Sequence, residues 1–436
     1  MFTQKSTKLS TILLALILGA SVFLAGSVYA QKTVIQMDSF QWTWEPTQKL
    51  IKKVIEEYER LNPHIDIQMV GVGWGDTAQS LLVRAAGGDA PDVMWLDWVW
   101  YYDLAQNGVL ADLTKLATPE EMAEFDPNVR DIGKIGDGVY AIPFLMDPCS
   151  MFVNHDLLKK YGVGVPETWD EVYENAIKVR DQSNGEDFYF WIPSWAWTMD
   201  ALNIWEPWNF GVFPLENLDE GEIGLNTPEA KFWLEWRRKM AKAGLIYGPG
   251  EDIMAPITGG LAVEKLAIVT QGSWLMGNLL QTNPSRWDNG GLYDGSLSIE
   301  KLPVLNKGDD PVTPPNVKTI AISQQSKVKE EAWKFAYWFT TDPFSVGLQW
   351  TANQSVTAAL SVQKDMFKPG GPYDNPIHRT ARDNAIPTVR MPKLHKMWSR
   401  AAPFVIDAAN KAVFTDKPID EILEEAEANI KIVTGM

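Results

Sequence analysis

The 436-residue chain has a single cysteine, Cys149, and four histidines. One cysteine excludes an intrachain disulfide and any cysteine-based zinc site; the residue reads as a small buried hydrophobe. His64, His155, His378 and His395 show no HExxH or other ligand spacing. No P-loop and no GxSxG elbow occurs, and GVGWGD from Gly71 does not match GxGxxG. No internal repeat or low-complexity segment breaks the chain. Positive charge is in deficit, with 39 Lys and Arg against 56 Asp and Glu for a net charge of −17. Such an acidic surface repels nucleic acid and anionic lipid. No catalytic residue, metal or cofactor is assigned. A pair of carboxylates such as Glu45 with Asp97 could in principle run glycoside hydrolysis, but that chemistry depends on their separation, which spacing along the chain does not give.

Tryptophan is abundant, with 20 residues. Five fall between 191 and 208, in WIPSWAWTMDALNIWEPW. A core would be filled more cheaply by Leu or Val, because each buried indole N–H wants a partner.

Length suggests at least two domains. Residues 1–30 have the layout of a secretory signal peptide: Lys5 and Lys8, an apolar run from about Leu9 to Gly26, then Val28 and Ala30 at the −3 and −1 positions. Export to the periplasm or the cell exterior is expected, with a mature chain from Gln31. Removing the two lysines takes the net charge from −17 to −19. Ser27 stands where a lipoprotein would carry its lipidated cysteine, so no lipid anchor is expected.

Beyond the leader, TVIQMDSF, IDIQMV and PDVMWLD read as strands. Between them lie a helix with Leu50, Ile51, Val54, Ile55 and Tyr58 on one face and a second helix from DTAQSLLVRAAGG. Strand–helix–strand–helix–strand predicts an α/β domain with a mostly parallel sheet. Further helices are expected in VPETWDEVYENAIKVRDQ, with Thr168 and Glu171 at capping-box spacing, in NTPEAKFWLEWRRKMAKAG, in SKVKEEAWKFAYWFTTDP and in KPIDEILEEAEANIKIV.

Three aromatic clusters stand out: FQWTWEP after the first strand, WLDWVWYY at the end of the third, and the 191–208 stretch. Ligands of open α/β sheets bind beyond the carboxyl ends of strands. Sugars pair apolar C–H faces with polar rims, so flat rings beside a few fixed polar groups suit them. Asp38, Glu45 and Asp97 can accept hydroxyl hydrogen bonds, and indole N–H groups can donate. Trp95, Trp169, Trp233, Trp236, Trp333, Trp338 and Trp398 sit within periodic elements and read as packing.

The order of segments resembles the extracellular solute-binding proteins of ABC importers, in the group that includes maltose and other sugar binders. YERLNPHIDIQMV, LLVRAAGGDAPDVMWLD, LAQNGVLADLT, DGVYAIPFLMD, MFVNHDLLKKYGVGVPETWDEV, AVEKLAIVTQGSW and EEAWKFAYWFTTDP follow one another as in that family. PPNVKTIAI departs from it by lacking the usual glycines before its strand, and NQSVTAAL replaces a common Gly-x-x-Pro.

The resemblance implies a two-lobed fold with an interlobe ligand cleft. The N-terminal α/β lobe would comprise 31–145 plus 310–352 and the C-terminal α/β lobe 146–309 plus 353–436, with crossings near 143–150, 303–316 and 350–358. It implies a ligand site of Trp42, Trp44 and Glu45; Asp97 and Trp98; Trp195, Trp197, Trp205 and Trp208; and Gly272 with Trp274. It further implies a monomer that captures a sugar of more than one ring and hands it to the membrane subunits of a permease. A polyol or glycerol phosphoester is the alternative ligand. A secreted carbohydrate-active enzyme and a lectin-like module are the readings from other classes.

Overall fold

Alternating strands and helices open the chain in the computed structural model, which describes residues 32–190, 205–246, 260–287, 290–395 and 397–436. β1 (Thr33–Ser39), α1 (Glu45–Leu61), β2 (Ile65–Val70), α2 (Thr77–Ala86) and β3 (Val93–Asp97) follow the expected order. Ile51, Val54, Ile55 and Tyr58 are buried on one face of α1, the four-residue repeat of an amphipathic helix. β1 pairs in parallel with β2 on one side and with β3 on the other. The chain thus winds outward from β1 in both directions and leaves a crevice beyond the carboxyl ends of β1 and β3.

The rest of this sheet departs from the parallel expectation. After a small hairpin of β4 (Lys134–Ile135) and β5 (Gly138–Val139) comes β6 (Ile142–Met146). With β11 (Val317–Ile322) and β12 (Val356–Thr357) it completes the order β12-β6-β11-β3-β1-β2. β11 runs antiparallel to both β3 and β6, and β12 antiparallel to β6. β11 enters from the second lobe, so no right-handed helical crossover dictates its direction.

The second lobe holds a four-stranded sheet in the order β10-β7-β9-β8, built from β7 (Ser150–Asn154), β8 (Phe188–Phe190), β9 (Leu266–Gln271) and β10 (Leu297–Glu300). Its helices include α3 (Trp169–Ser183), α4 (Pro228–Lys242) and α5 (Trp274–Thr282). Thr168 caps α3 by accepting from Glu171 N at 3.3 Å. The Glu171 carboxylate reaches Glu167 N rather than Thr168 N, so half of the expected capping box forms. α6 (Lys329–Thr341) and α7 (Pro343–Asn353) follow β11, and α8 (Trp398–Phe414) and α9 (Ile419–Thr434) end the chain against α4.

The first crossing is short, residues 147–149 between β6 and β7; the second is 301–316 between β10 and β11. The third lies later than expected. Val356 and Thr357 still pair with β6 of the first sheet, and the chain reaches β10 only with the helix Pro376–Thr380. A boundary at 352/353 therefore cuts one strand from the first lobe.

The packing tryptophans are where their periodicity predicts. Trp95 meets Phe40, Phe144 and Phe339 edge-on, with ring centroids 6.0, 5.1 and 5.8 Å away. Trp169 stacks on Phe210 at 4.6 Å and touches Trp236 at 5.0 Å. Trp233, Trp333 and Trp398 are also buried, and Trp338 lies half-buried against Tyr58.

Candidate ligand site at the lobe junction

The loop after β2 is forced onto the end of β1. A Cβ on Gly71 would sit inside the Ser39 carbonyl oxygen, so only glycine permits the approach. That approach carries Trp74 toward the end of β3. Its indole N–H donates to Asp97 Oδ2 at 3.2 Å, and its ring lies 5.3 Å from Trp100. Trp74 and Trp100 are half-buried rings above a buried carboxylate.

Asp97 is also held from below. Lys318 is its register partner on β11, and Lys318 Nζ donates to Asp97 Oδ2 at 2.6 Å. The same ammonium donates to Asn316 Oδ1 at 2.7 Å. Burial alone would lower the Lys318 ammonium, but Asp97 and Asp147 hold it above its ordinary value. Asp147 lies in the first crossing; burial raises its carboxyl, against the opposing pull of Lys318. Ser273, at the start of the second-lobe helix α5, donates its hydroxyl to Asp147 Oδ1. Asp147 N donates to Asn316 O at 3.0 Å, tying the two crossings together. One polar chain therefore runs from Trp74 in the first lobe to Ser273 in the second. Asp97 Oδ1, Asn316 Nδ2 and Gln271 Oε1 are buried along it without a hydrogen-bond partner among the described residues. Buried polar atoms normally find partners, so three orphans in one region need an explanation.

Two other polar groups border the junction. Asp38, the penultimate residue of β1, has 2% exposure; burial pushes its carboxyl up to about 6, against the pull of Arg84 at 3.7 Å. Just before β12, Gln354 Oε1 accepts from Tyr293 of the second lobe at 2.9 Å, and near the third crossing the buried His378 stacks on Tyr373 at 4.5 Å.

The residues expected to bind ligand separate into groups. Asp97, Gly272 and Trp274 meet at the junction. Trp274 is half-buried, and a Cβ on Gly272 would lie 2.8 Å from its ring and 2.9 Å from Asn316 Nδ2. Trp42 and Trp44 are half-buried at the start of α1, with Lys52 Nζ 5.6 Å from the Trp42 ring. Glu45 turns to solvent and pairs with Lys49 at 2.7 Å, which holds its carboxyl below the ordinary value. A general acid needs the opposite shift, so Glu45 is not placed for that role. Trp98 and Trp208 have 0% and 1% exposure and offer no face for stacking in this arrangement. Arg390 covers Trp208 from 5.3 Å. Trp195 and Trp197 lie outside the described residues, as does the side chain of Trp205. Trp74, Asn316, Lys318 and Ser273 were missed. The signal for Trp74 was a tryptophan set among Gly71, Gly73 and Gly75; that for Asn316 was the absence of the family's glycines before this strand.

Two α/β lobes sharing a polar junction at their crossings define a two-lobed solute receptor of the periplasmic-binding type. The sequence agrees: residues 43–343 match the bacterial extracellular solute-binding protein family, and the chain belongs to it. It is similar to the maltotriose-binding protein of Pyrococcus abyssi, 25% identical over 303 residues, or 68% of this chain. That match spans only 60% of the relative's length. It is also similar to the melibiose/raffinose/stachyose-binding protein MelE of Bacillus subtilis, 24% identical over 71% of this chain and 70% of the relative. Among solved structures, an ABC substrate-binding protein of Listeria monocytogenes in complex with cycloalternan superposes with a TM-score of 0.76. It is 21% identical and covers 93% of this chain and 100% of its own.

Proposed function

We propose that this chain is the substrate-binding component of an ABC importer. It captures a sugar of more than one ring between its lobes and delivers it to the membrane permease. The observation that carries this reading is Asp97, a buried carboxylate with one oxygen that has no partner among the described residues, beneath the half-buried rings of Trp74 and Trp100. A fixed acceptor beside flat apolar faces suits a sugar hydroxyl and its C–H face. The relatives named for maltotriose and for melibiose, raffinose and stachyose support the same ligand class.

The protein works outside the cytoplasm as a monomer, after removal of residues 1–30. No helix among the described residues is long and apolar enough to cross a membrane. Ligand binding favours the closed arrangement to the extent that the ligand binds that state better than the open one. Trp42, Trp44 and Trp274 contribute rings, and Trp195, Trp197 and Trp205 are proposed as further ligand contacts. A phosphoester ligand is disfavoured, because the cation in this network, Lys318, is already paired with Asp97.

The test is tryptophan fluorescence and thermal shift of residues 31–436 against mono- and oligosaccharides, polyols and phosphoesters. A neutral oligosaccharide at a hundredfold excess over its Kd should add about 2.7 kcal/mol of stability and survive incubation unhydrolysed. No response to any sugar, or turnover of the sugar, overturns the proposal.

A further inference from the structure

We infer that Asn316 reads an oxygen atom of the bound ligand through its amide Nδ2, that Lys318 is the positioning residue that fixes this amide, and that the ligand at this point is uncharged. The inference rests on the sugar-binding reading and names the chemistry of that same site.

Asn316 is the last residue of the second crossing, immediately before β11 enters the first lobe. Its φ is +37°, a left-handed value that side chains other than glycine rarely adopt. Asparagine tolerates it better than most residues, yet a non-glycine held there stores strain of the kind found at ligand clamps. The residue is 2% exposed, so a donor left without a partner is costly.

The orientation of the amide follows from its neighbour. Lys318 Nζ lies 2.7 Å from Oδ1. An ammonium only donates, so the carbonyl end must face it and Nδ2 must face away. Nδ2 then finds no partner among the described residues. It points toward Gly272 and Trp274, where a Cβ on Gly272 would come within 2.9 Å of it and 2.8 Å of the indole. Only glycine lets the amide and the indole approach the backbone this closely. The result is a directed donor beside a half-buried aromatic ring, contributed by the crossing and the second lobe together.

Charge defines the ligand class. The Lys318 ammonium faces Asp97 at 2.6 Å and also feels Asp147. Among the described residues of this network, two carboxyls and one cation leave no free positive charge to meet an anion. Asp97 Oδ1 accepts and Asn316 Nδ2 donates, a combination met by a neutral hydroxylated ligand and not by a uronate or a sugar phosphate.

The experiment is titration calorimetry of full-length mature wild type, Asn316→Gly and Asn316→Asp. The ligands are the sugar found to bind wild type, its monodeoxy series and its uronate. Asn316→Gly relieves the left-handed backbone while removing Nδ2. It should fold as well as wild type and bind about tenfold more weakly. One monodeoxy analogue should carry a roughly tenfold penalty in wild type that disappears in Asn316→Gly, a coupling that a merely structural residue would not show. Asn316→Asp keeps an acceptor for Lys318 but replaces the donor; it should lose at least as much affinity, and it serves if the glycine variant does not fold. The uronate should bind wild type at least a hundredfold more weakly than the neutral sugar. Unchanged affinity in both variants, or deoxy penalties identical to wild type throughout, overturns the role of Asn316; equal binding of the uronate overturns the charge assignment. Wild type that binds no sugar overturns the underlying reading and this inference with it, an outcome visible before any variant is made.

Discussion

Lys318 and Asp97 face each other as register partners on antiparallel strands, and their side chains close to 2.6 Å in the interior, with 11% and 3% of side-chain area exposed. Breaking a buried pair by removing one partner strands the other charge and costs about 3–5 kcal/mol. Lys318→Met and Asp97→Asn should each lose stability of that order in urea unfolding. The double variant should lose less than the two singles added together, because no stranded Asp97–Lys318 charge remains. Simple additivity would remove the pair from the account of the junction.

Gly71 makes a second, local prediction. A methyl group there collides with the Ser39 carbonyl oxygen, and backbone cannot yield as a flexible side chain can. Gly71→Ala should cost about 1–3 kcal/mol and weaken ligand binding by displacing Trp74. Gly73→Ala, two residues on, meets nothing within 4 Å and should stay within about 0.5 kcal/mol of wild type. Thermal melts of the two variants side by side provide the check.

Much of this frame could be read from sequence. The periods of TVIQMDSF, IDIQMV and PDVMWLD, with the helices between them, place Asp97 at the mouth of a crevice because local pattern determines where each strand ends. What binds Asp97 was not legible, since Lys318 is 221 residues away and meets it only through the β3–β11 register. Glu45 is the opposite case, with a local partner: helix α1 starts at Glu45, and Lys49 one turn on pairs with its charge. Tryptophan identity alone could not say that Trp98 and Trp208 face inward while Trp274 stays half open. Both departures from the family pattern mark unusual backbone. Asn316 and Gln354 are non-glycine residues at φ +37° and +56°. Sequence located these points but not the bonds they make.

His378 predicts how stability responds to acid. Burial against Tyr293 and Tyr373 lowers its imidazole from 6.5 to about 4. Above pH 6.5 both folded and unfolded chains keep it neutral. As pH falls from 6.5 to 4 the unfolded chain takes up the proton first, so stability drops, and below 4 the loss levels off. A shift of this size corresponds to about 3 kcal/mol. Asp38, raised to about 6, acts in reverse: its contribution falls as pH rises from 3.8 to 6. The histidine is isolated by comparing wild type with His378→Phe. Whatever the variant costs at pH 7, the gap between them should move by about 3 kcal/mol in the variant's favour at pH 4. A gap independent of pH would place a solvated imidazole at position 378.

Trp98 and Trp274 should respond to mutation in opposite ways. Trp98 has no exposed area and packs within the first-lobe core. Trp98→Ala should cost about 3–5 kcal/mol, with the ranking of ligands unchanged in whatever fraction folds. Trp274 is half-buried beside the Asn316 amide. Its truncation leaves a smaller cavity but removes a stacking face, and an aromatic anchor at a binding site is typically worth 2 kcal/mol or more. Trp274→Ala should therefore melt closer to wild type than Trp98→Ala while binding its sugar about thirtyfold or more weakly. Urea unfolding and calorimetry on both variants separate stability from affinity. If Trp98→Ala lost affinity at full folding while Trp274→Ala kept it, the ligand would lie deeper in the first lobe than the junction places it.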